Sequence, residues 1–584
     1  MNKGVNMKNW KKWFALVSIV ALCLISCVSL AACNKKIDTQ YTIVIEPFSG
    51  SGFGYQWIKD LANEWSQQNG TYKIIVKENS TALSGTQLDQ IASNNTNTDV
   101  YFGAEPSYSS GFYKGYFEDL SDLLAVSPDN NGVTIQDKII DFETWQKVAG
   151  KLSYDSTTDS FTTSGCYMLP YSVTMVGMVY DHDLWIEKNY VNFAENNAEV
   201  KAQLDAQGIT YQASGKRLVF VSSTGTTNYS QGDYILTAGK DGKYGTYDDG
   251  QPQTMAEFVT LLNRIVAANG KGFIYSSMQE YASSLTLSYL VQYAGLNAYS
   301  ALSTFNSNGN EIALADGTSV AIDWTNGYLA YSMNGIADAV NFTNDYFGPS
   351  SKYCTRGNYV SDAQDKFING GLGNSTYNAM IVEGNWFEFE AAESLKSAGK
   401  QQAGKGYGQV DYRYLLMPDI DGQKGIDGNG HGSVFAAPET GAIVVRKQQY
   451  PEKLAAIKDF LAYTLTDKAL SETTAKTGLI RGYKYSLTDA QLANMTPFQR
   501  TSYQIYQDTA NVKVLTYATD RLTTPFAYAA NGFYDGILPV GTTASLVDAL
   551  RNGQSVETII SKIQNNYSKN TWEGFLSGIK NSLV

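Results

Sequence analysis

The hydrophobic and polar positions after residue 40 follow the periods of strands and helices in turn. Residues 41–46 alternate apolar and polar side chains, whereas Trp57, Leu61 and Trp65 recur on one face of a helix. The pattern continues with a strand over 72–77, a helix around 87–91 and a strand over 99–102. Strands that alternate with helices predict α/β units built on mainly parallel sheets.

The ends of these strands are the expected place for a ligand. In parallel sheets ligands bind at the carboxyl ends of the strands, so the loops after Glu46 and Phe102 are predicted to line a site. The glycine-rich segment 49–54 lacks G-x-G-x-x-G spacing, which indicates a turn rather than a phosphate cradle. The sequence contains no G-x-x-x-x-G-K-[ST] loop, so nucleotide hydrolysis by that route is excluded.

The first forty residues indicate export and lipid anchoring. Lysines precede an apolar run over 13–30, and the tetrad L-A-A-C at 30–33 matches the bacterial lipobox. We predict a signal peptide over 1–32, a lipidated Cys33 and a tether over 33–40, on the extracellular face of a cell membrane. A Gram-positive cell is favoured, and a lipoprotein facing a periplasm stays open. An ordinary signal peptide or an uncleaved anchor with a chance cysteine is the alternative reading.

Composition narrows the class of ligand. A chain of 584 residues suits two or three domains, and a formal net charge of −12 makes nucleic acid a poor partner. The 41 tyrosines and 9 tryptophans offer flat apolar faces with polar edges, which suit sugars. Tyrosine also decorates many extracellular surfaces, so composition alone favours sugar binding without establishing it.

Few residues are suited to catalysis or to metal binding through sulfur. Only two histidines are present, which leaves little for a histidine-based acid–base mechanism, and we predict that the chain is not an enzyme. Outside the predicted signal and lipobox, the cysteines are Cys166 and Cys354. Whether these two pair is left open, and two cysteines do not make a disulfide framework.

Several motifs resemble one family in the same order along the chain. Asp99-Val100 with 114–123 resembles the "pDv … kGyledLsdl" stretch of extracellular solute-binding proteins family 1, the carbohydrate receptors related to maltose-binding protein. Residues 167–184 resemble its "Y-x-x-P … l-x-Y-N-k-d-l" segment, where the chain crosses between lobes, although Asp181 replaces the usual Asn. Thr174 stands where maltose-binding protein has a ligand-contacting glutamate, so that contact is not transferred.

The sharpest resemblance covers 379–386, which is similar to "A-A-M-x-x-x-G-x-W": a buried strand, a glycine turn and an indole in the cleft. A core tryptophan is the alternative reading of Trp386. Thr254 and Glu257 resemble a "T-W-E-E" helix start and form a capping-box pattern. Weaker resemblances follow along the chain. Residues 278–281 resemble a sugar-contacting stretch, and residues 412–418 resemble the return crossing between lobes. Residues 433–445 resemble a strand pair, 451–461 resemble a helix with Pro451 in its first turn, and 546–550 and 556–560 resemble the closing helices.

The resemblance implies a two-lobed, periplasmic-binding-protein-like (type II) α/β fold with ligand in an inter-lobe cleft. The first lobe would comprise 41–170 with 417–478, and the second 171–416 with 479–584. The implied ligand-binding residues are Tyr55, Glu105, Tyr171, Glu280, Tyr281, Glu383, Asn385, Trp386 and Tyr414. The aromatic residues would stack on sugar rings, and the polar ones would bond hydroxyl groups. For Glu280 and Tyr281 a solvated helix face is an equal alternative.

The segment 239–250 concentrates glycine and aspartate. Asp241, Asp248 and Asp249, with Glu257 from the next helix, are candidate oxygen ligands for a structural Ca²⁺, although the spacing fails the EF-hand pattern. A solvated Asp-Gly turn is an equal alternative. No other cofactor is predicted.

The implied function is that of a monomeric substrate-binding lipoprotein of an ABC importer. Its partners would be a carbohydrate, more specifically an oligosaccharide, and the permease subunits. The alternatives are a receptor of the same fold for a peptide or an anion, a secreted glycosidase using paired carboxylates, and a surface adhesin. An anion receptor should carry arginine or lysine in its cleft, and the crossing motifs contain only Arg413. The sugar, its linkage and the permease are not specified by the sequence.

Overall fold

The structure is a computed structural model that describes residues 40–48, 53–78, 85–103, 111, 113–222, 227–276, 281–370, 377–420, 423–436, 441–515 and 546–583. The predicted signal peptide, Cys33, most of the tether, Glu105 and Glu280 lie outside these residues. The described chain is a mixed α/β structure. Among the described residues, no helix has both the length and the apolar character that a membrane crossing needs.

The described residues form eighteen strands, which are β1 Thr42–Pro47, β2 Lys73–Val76, β3 Val100–Gly103, β4 Lys151–Asp155, β5 Ser160–Ser164, β6 Leu169–Ser172, β7 Val176–Asp181, β8 Tyr211–Ser214, β9 Arg217–Phe220, β10 Lys271–Ser276, β11 Glu311–Ala313, β12 Ser319–Ala321, β13 Cys354–Gly357, β14 Asn378–Gly384, β15 Tyr412–Leu415, β16 Ser433–Ala436, β17 Gly441–Val445 and β18 Val512–Leu515.

The α-helices are Gln56–Asn69, Gly85–Ala92, Ile135–Lys138, Phe142–Ala149, His182–Glu187, Ala198–Ala206, Met255–Ala267, Tyr281–Ala294, Leu296–Thr304, Ile336–Phe347, Val360–Gly370, Phe387–Glu390, Ala392–Gln401, Pro451–Thr464, Asp467–Thr477, Asp489–Ala493, Pro497–Gln507, Leu546–Arg551, Val556–Asn566 and Lys569–Leu583. Short 3₁₀ helices cover Leu123–Ala125 and Gly327–Ser332. The helices and strands predicted from periodicity between residues 41 and 102 are confirmed within four residues at each end.

Two larger sheets carry the architecture. Sheet I has the order β2-β1-β3-β17-β6, and sheet II has the order β13-β10-β14-β7-β16-β18, with β15 also paired to β7. The prediction of mainly parallel sheets is wrong, because parallel and antiparallel pairs are equally numerous in both. Every antiparallel pair in these two sheets includes β7 or β17.

The reason for the mixed pairing is the path of the chain between the sheets. The chain leaves sheet I at the end of β6 and enters sheet II three residues later as β7; we call residues 173–175 the crossing segment. It rejoins sheet I as β17, after β16 of sheet II. The two strands expected within 433–445 are therefore present but lie in different sheets. The segment 412–418, expected at the return crossing, contributes β15 to sheet II.

Each sheet has its own apolar core. One core cluster joins sheet I to the helices Gln56–Asn69 and Pro451–Thr464, and includes Ile43, Trp65 and Phe460. The alternating side chains of β7 supply two further clusters, since Met178 and Tyr180 lie on one face of sheet II and Val179 on the other. A further cluster joins helices of the C-terminal part to the hairpin β4–β5. The burial of each sheet against helices follows from the apolar periodicity of its strands.

The predicted helix cap at Thr254 is confirmed in part. The Thr254 side chain accepts a hydrogen bond from the backbone N–H of Glu257 at 3.3 Å. The Glu257 carboxylate accepts from the backbone N–H of Gln253 at 2.8 Å rather than from that of Thr254. The second hydrogen bond of the expected capping box is therefore made to the N–H one residue before the N-cap, and the Glu257 carboxylate still accepts a backbone donor at the start of the helix.

A buried carboxylate joins the inner strands of sheet I. Asp99 is fully buried, and its Oδ2 accepts from the backbone N–H of Val44 at 2.9 Å. The same carboxylate pairs with Arg446 at 3.2 Å and with Lys453 at 2.8 Å. The interaction joins the β1 and β3 strands to the end of β17 and to the helix Pro451–Thr464, although Arg446 lies 347 residues after Asp99 in the chain.

Replacing Asp99 with alanine should destabilise the protein strongly. The change leaves the buried Lys453 and the partly buried Arg446 without their carboxylate, which costs about 3–5 kcal/mol of unfolding free energy. Denaturant unfolding of the variant measures this cost. Glu393→Ala removes an exposed pair with Lys396 and serves as the control, with almost no change expected. Equal effects of the two substitutions would contradict the assigned role of Asp99.

Candidate functional site

Aromatic side chains gather where the strands of sheet I end. Tyr171 on β6 stacks on Trp57, in the first turn of the helix Gln56–Asn69, with ring centroids 5.9 Å apart and planes at 22°. Phe102, near the end of β3, meets the Tyr171 ring edge-on at 5.5 Å. A Cβ on Gly441 would lie 2.7 Å from the Tyr171 ring, so this close approach requires glycine. The stack lies at the edge of the sheet that sequence analysis predicted for a ligand.

Arg481 lies against this aromatic stack. Its guanidinium carbon is 5.5 Å from the Trp57 ring centroid and 5.6 Å from that of Tyr171, and its Nε donates to the Tyr171 carbonyl at 2.7 Å. The side chain is fully buried, and Nη1 and Nη2 have no hydrogen-bond partner in the part of the chain that the structure describes. Burial lowers the pKa of Arg481, opposed by the phenolic oxygens of Tyr483, Tyr171 and Tyr485.

Sequence analysis did not identify Arg481 as a site residue. It proposed Arg413 as the only cation near the crossings, and in the structure Arg413 is engaged by both oxygens of Asp411, at 2.7–3.2 Å. Arg481 belongs to no motif that resembles the family. The fold places Arg481 beside Tyr171, which is 310 residues earlier in the chain, and no local sequence pattern predicts that contact.

On the sheet II side, Asn385 and Tyr414 hold the crossing segment. Asn385 exchanges two hydrogen bonds with the backbone of Met175, at 3.1 and 3.3 Å, and its Nδ2 lies 3.5 Å from the Val173 carbonyl. The Tyr414 hydroxyl donates to the Met175 carbonyl at 2.9 Å, and its ring packs on Phe435. Both side chains are buried, and their hydrogen bonds hold the crossing segment in place in this structure.

The turn after β14 has the order that the sequence predicted: buried strand, glycine, indole. A Cβ on Gly384 would lie 2.4 Å from the Trp386 ring, so glycine lets the ring fold back on the strand end. Trp386 meets Tyr281 at 5.5 Å with planes at 69°. Both rings are buried. Glu383 is also buried, and its Oε1 accepts from the Gly384 N–H. Trp386 belongs to the core of sheet II, and its contact with a ligand stays a prediction.

A ring contact links the ends of the two sheets. Phe53, in the segment after β1, meets Phe389, in the helix after β14, at 4.9 Å and 61°. Tyr55 occupies the N-cap position of the helix Gln56–Asn69 and is partly exposed. Burial raises the pKa of Tyr171, and the nearby Tyr55 acts in the same direction. The ends of β1 and β14 therefore approach each other, with Tyr55 accessible to solvent beside them.

The acidic segment 239–250 turns its carboxylates inward. Asp248 and Asp249 are buried, so the interpretation as a solvated turn is wrong. Asp248 accepts from the Asp241 N–H at 3.2 Å, and Asp249 accepts from the Gly245 N–H at 2.7 Å and from the Tyr229 hydroxyl. The carboxylates replace water as acceptors for the loop's own donors.

These contacts do not assemble the oxygen shell that calcium prefers. Glu257 is exposed and caps its own helix, apart from the loop's hydrogen bonds. In the described ranges, no three side chains from histidine, cysteine, aspartate and glutamate are arranged to hold a metal ion. Calcium binding by Asp241, Asp248, Asp249 and Glu257 stays a prediction that would require these side chains to rearrange.

The remaining titratable candidates are buried in ways that oppose reactivity. Cys166 and Cys354 are buried free thiols, and burial raises the pKa of Cys166 to about 12. Burial lowers the pKa of His182 to about 3, with the nearby Arg413 acting in the same direction. At neutral pH His182 is therefore uncharged and Cys166 is protonated.

Comparison with known proteins does not assign a family. The chain matches no protein-family model, and no curated protein is significantly similar to it. The resemblance to the solute-binding family rests on the motifs described above, and what it implies enters only as a proposal.

Replacing Asp249 with asparagine should change how stability depends on pH. Burial raises the pKa of Asp249 from 3.8 to about 7, so the folded state retains a proton that the unfolded state releases. The stability that this proton confers is complete below about pH 4 and is lost as pH rises through about 7. Asp249→Asn keeps a neutral group at every pH, so its melting temperature relative to the original protein should rise between pH 5 and pH 8.

The control for this experiment is Asp316→Asn. Hydrogen bonds from Thr318 lower the pKa of this exposed carboxylate, so it is ionised in both the folded and the unfolded state between pH 5 and pH 8. The melting temperature of Asp316→Asn relative to the original protein should therefore not vary over this range. Both variants are measured in EDTA and then in Ca²⁺. A rise in melting temperature with Ca²⁺ that Asp249→Asn removes would establish the calcium site. If the difference in melting temperature between Asp249→Asn and the original protein does not vary with pH, the retained proton on Asp249 is contradicted.

Proposed function

We propose that this chain is an extracellular, lipid-anchored substrate-binding protein of an ABC importer, which binds a carbohydrate and delivers it to the permease. The observation that carries the proposal is the pair of aromatic groups at the facing ends of two sheets joined by a three-residue crossing. Trp57 and Tyr171 form one group, and Tyr281 and Trp386 form the other. Tyr171, Tyr281 and Trp386 lie within motifs that resemble family 1 receptors.

The proposed architecture is two lobes, one on each larger sheet, in a type II binding-protein fold. Separate cores allow the sheets to move as bodies, and a crossing of three residues is short enough to act as a hinge. Ligand bound between the lobes favours the closed state, because only that state places both lobes against it. The closed form would then dock on the permease.

The proposed chemistry is recognition without bond cleavage. The apolar face of a pyranose packs on an aromatic ring by dispersion and C–H/π contact, and its hydroxyl edge bonds polar groups. Tyr55, partly exposed beside Tyr171, is suited to such a face. An oligosaccharide is favoured over a monosaccharide by the number of aromatic side chains. The proposed anchor is Cys33, and a monomer needs no partner copy to complete the site.

Tyr55→Ala tests the position of the site. The full-length chain, purified in mild detergent, is first screened by thermal shift against neutral and acidic oligosaccharides, because a ligand that binds the native state raises the melting temperature. For the best glycan we expect Tyr55→Ala to weaken binding about 10-fold or more in calorimetry, since an aromatic stacking partner is removed. Tyr359→Ala, an exposed tyrosine at the start of the helix Val360–Gly370, should leave binding unchanged.

The same samples test the rival functions. Release of labelled products from an oligosaccharide on incubation would contradict a receptor and favour a glycosidase. A melting-temperature rise with peptides or inorganic anions, and with no glycan, would contradict the carbohydrate class. Equal losses in the two tyrosine variants would contradict the location of the site.

A further inference from the structure

Arg481 occupies the junction of the two cores. The residue before it, Ile480, belongs to a core cluster of sheet II and accepts a hydrogen bond from the crossing segment through Val173 N–H, at 2.9 Å. Tyr483, two residues later, belongs to the core of sheet I and donates to the Pro170 carbonyl at 2.8 Å. The Arg481 side chain is thus fixed beside the crossing, between the sheets.

The charge of Arg481 is not compensated by the residues that the structure describes. Arginine stays protonated in proteins, and the groups that act on it electrostatically are the phenols of Tyr171, Tyr483 and Tyr485. An unpaired buried charge is costly, which is why buried arginines normally face a carboxylate. Arg413 faces Asp411 and Arg446 faces Asp99, so Arg481 differs from two other arginines near the sheets.

A second donor without a partner lies beside the guanidinium. Trp57 Nε1 is buried and has no hydrogen-bond partner among the described residues, and the Trp57 ring lies under Arg481. The two Nη groups of Arg481 and this indole N–H are all donors. A group that satisfied them would have to supply several acceptor oxygens and a negative charge.

We infer that Arg481, with Trp57 Nε1, binds an anionic group on the sugar ligand, either the carboxylate of a uronic acid or a sulfate ester. The inference rests on the proposed carbohydrate function and adds the charge of its substrate. A planar guanidinium fork matches two oxygens of such a group, and the Trp57–Tyr171 stack holds the fork in place. A neutral sugar hydroxyl would accept one hydrogen bond but leave the buried charge uncompensated.

The test compares acidic and neutral glycans on the full-length chain and on Arg481→Met. The probes are tetragalacturonate and a chondroitin sulfate tetrasaccharide, with maltotetraose, cellotetraose and xylotetraose as neutral counterparts. We expect an acidic probe to bind and Arg481→Met to weaken it at least about 30-fold. Without ligand, the same variant should melt at a higher temperature, because methionine fills the space without a charge to desolvate.

Two further variants keep the result interpretable. Arg481→Lys retains the charge but loses the fork, so it should retain part of the affinity for the acidic probe. Arg217→Met removes an arginine that also lies over aromatic rings, those of Phe193 and Tyr234, away from the crossing, and should leave binding unchanged. Preference for the carboxylated or the sulfated probe identifies the source of the charge.

The failures are distinguishable. A neutral glycan that binds the original protein and Arg481→Met within about 3-fold would overturn the inference and leave the carbohydrate function standing. Binding of inorganic sulfate, phosphate or an acidic peptide with no glycan would overturn both. A lower melting temperature of ligand-free Arg481→Met would overturn the claim that the charge is uncompensated.

Discussion

The buried backbone of the crossing segment is the constraint on which the rest of the structure depends. Residues 173–175 leave one sheet and enter the next without strand partners, and buried N–H and C=O groups must still be bonded. Ile480, Asn385 and Tyr414 supply those bonds from elements far along the chain. The position of each sheet relative to the crossing is thereby fixed by side chains of sheet II and by the segment around Arg481.

This arrangement explains why the residues proposed to contact ligand lie close to the crossing segment. The turn that carries Trp386 begins next to Asn385, and the segment that carries Arg481 begins next to Ile480. Two of the residues that bond the crossing, Asn385 and Ile480, are therefore sequence neighbours of residues proposed to contact ligand. A ligand that engaged Arg481 and Trp386 would act directly on the segments that hold the crossing, which is how binding would be coupled to lobe closure.

The sequence was informative where local patterns decide the outcome. Apolar periodicity predicted β1 and the helix Gln56–Asn69, and the resemblance to a family motif predicted the strand–glycine–indole order at 379–386. Both depend on neighbours within a few positions. Sheet membership was not predictable in the same way. The strands β16 and β17 are separated by only four residues, yet they lie in different sheets. No local sequence pattern indicates this change of sheet, so it could not be predicted. The proposed lobe boundaries stay predictions for the same reason.

Burial and charge pairing were the features that sequence could not supply. Asp248 and Asp249 looked like solvent-facing or calcium-binding carboxylates, and only the fold shows that they cap donors of their own loop. Arg481 lies in no motif, and the feature that singles it out is that its two Nη groups have no hydrogen-bond partner among the residues that the structure describes. Trp57 was identified as part of a helix face, and its stacking on Tyr171 appears only when β6 is placed beside that helix.

The most direct test of the account is a distance measurement across the proposed hinge. Spin labels at Gln68 and Lys400, on exposed positions of helices packed on sheet I and sheet II, report the separation of the lobes by pulsed electron resonance. A pair at Gln68 and Glu452, both on sheet I, is the control. The account predicts that saturating glycan shifts and narrows only the first distribution. An unchanged first distribution with ligand bound would contradict two lobes that close on a substrate.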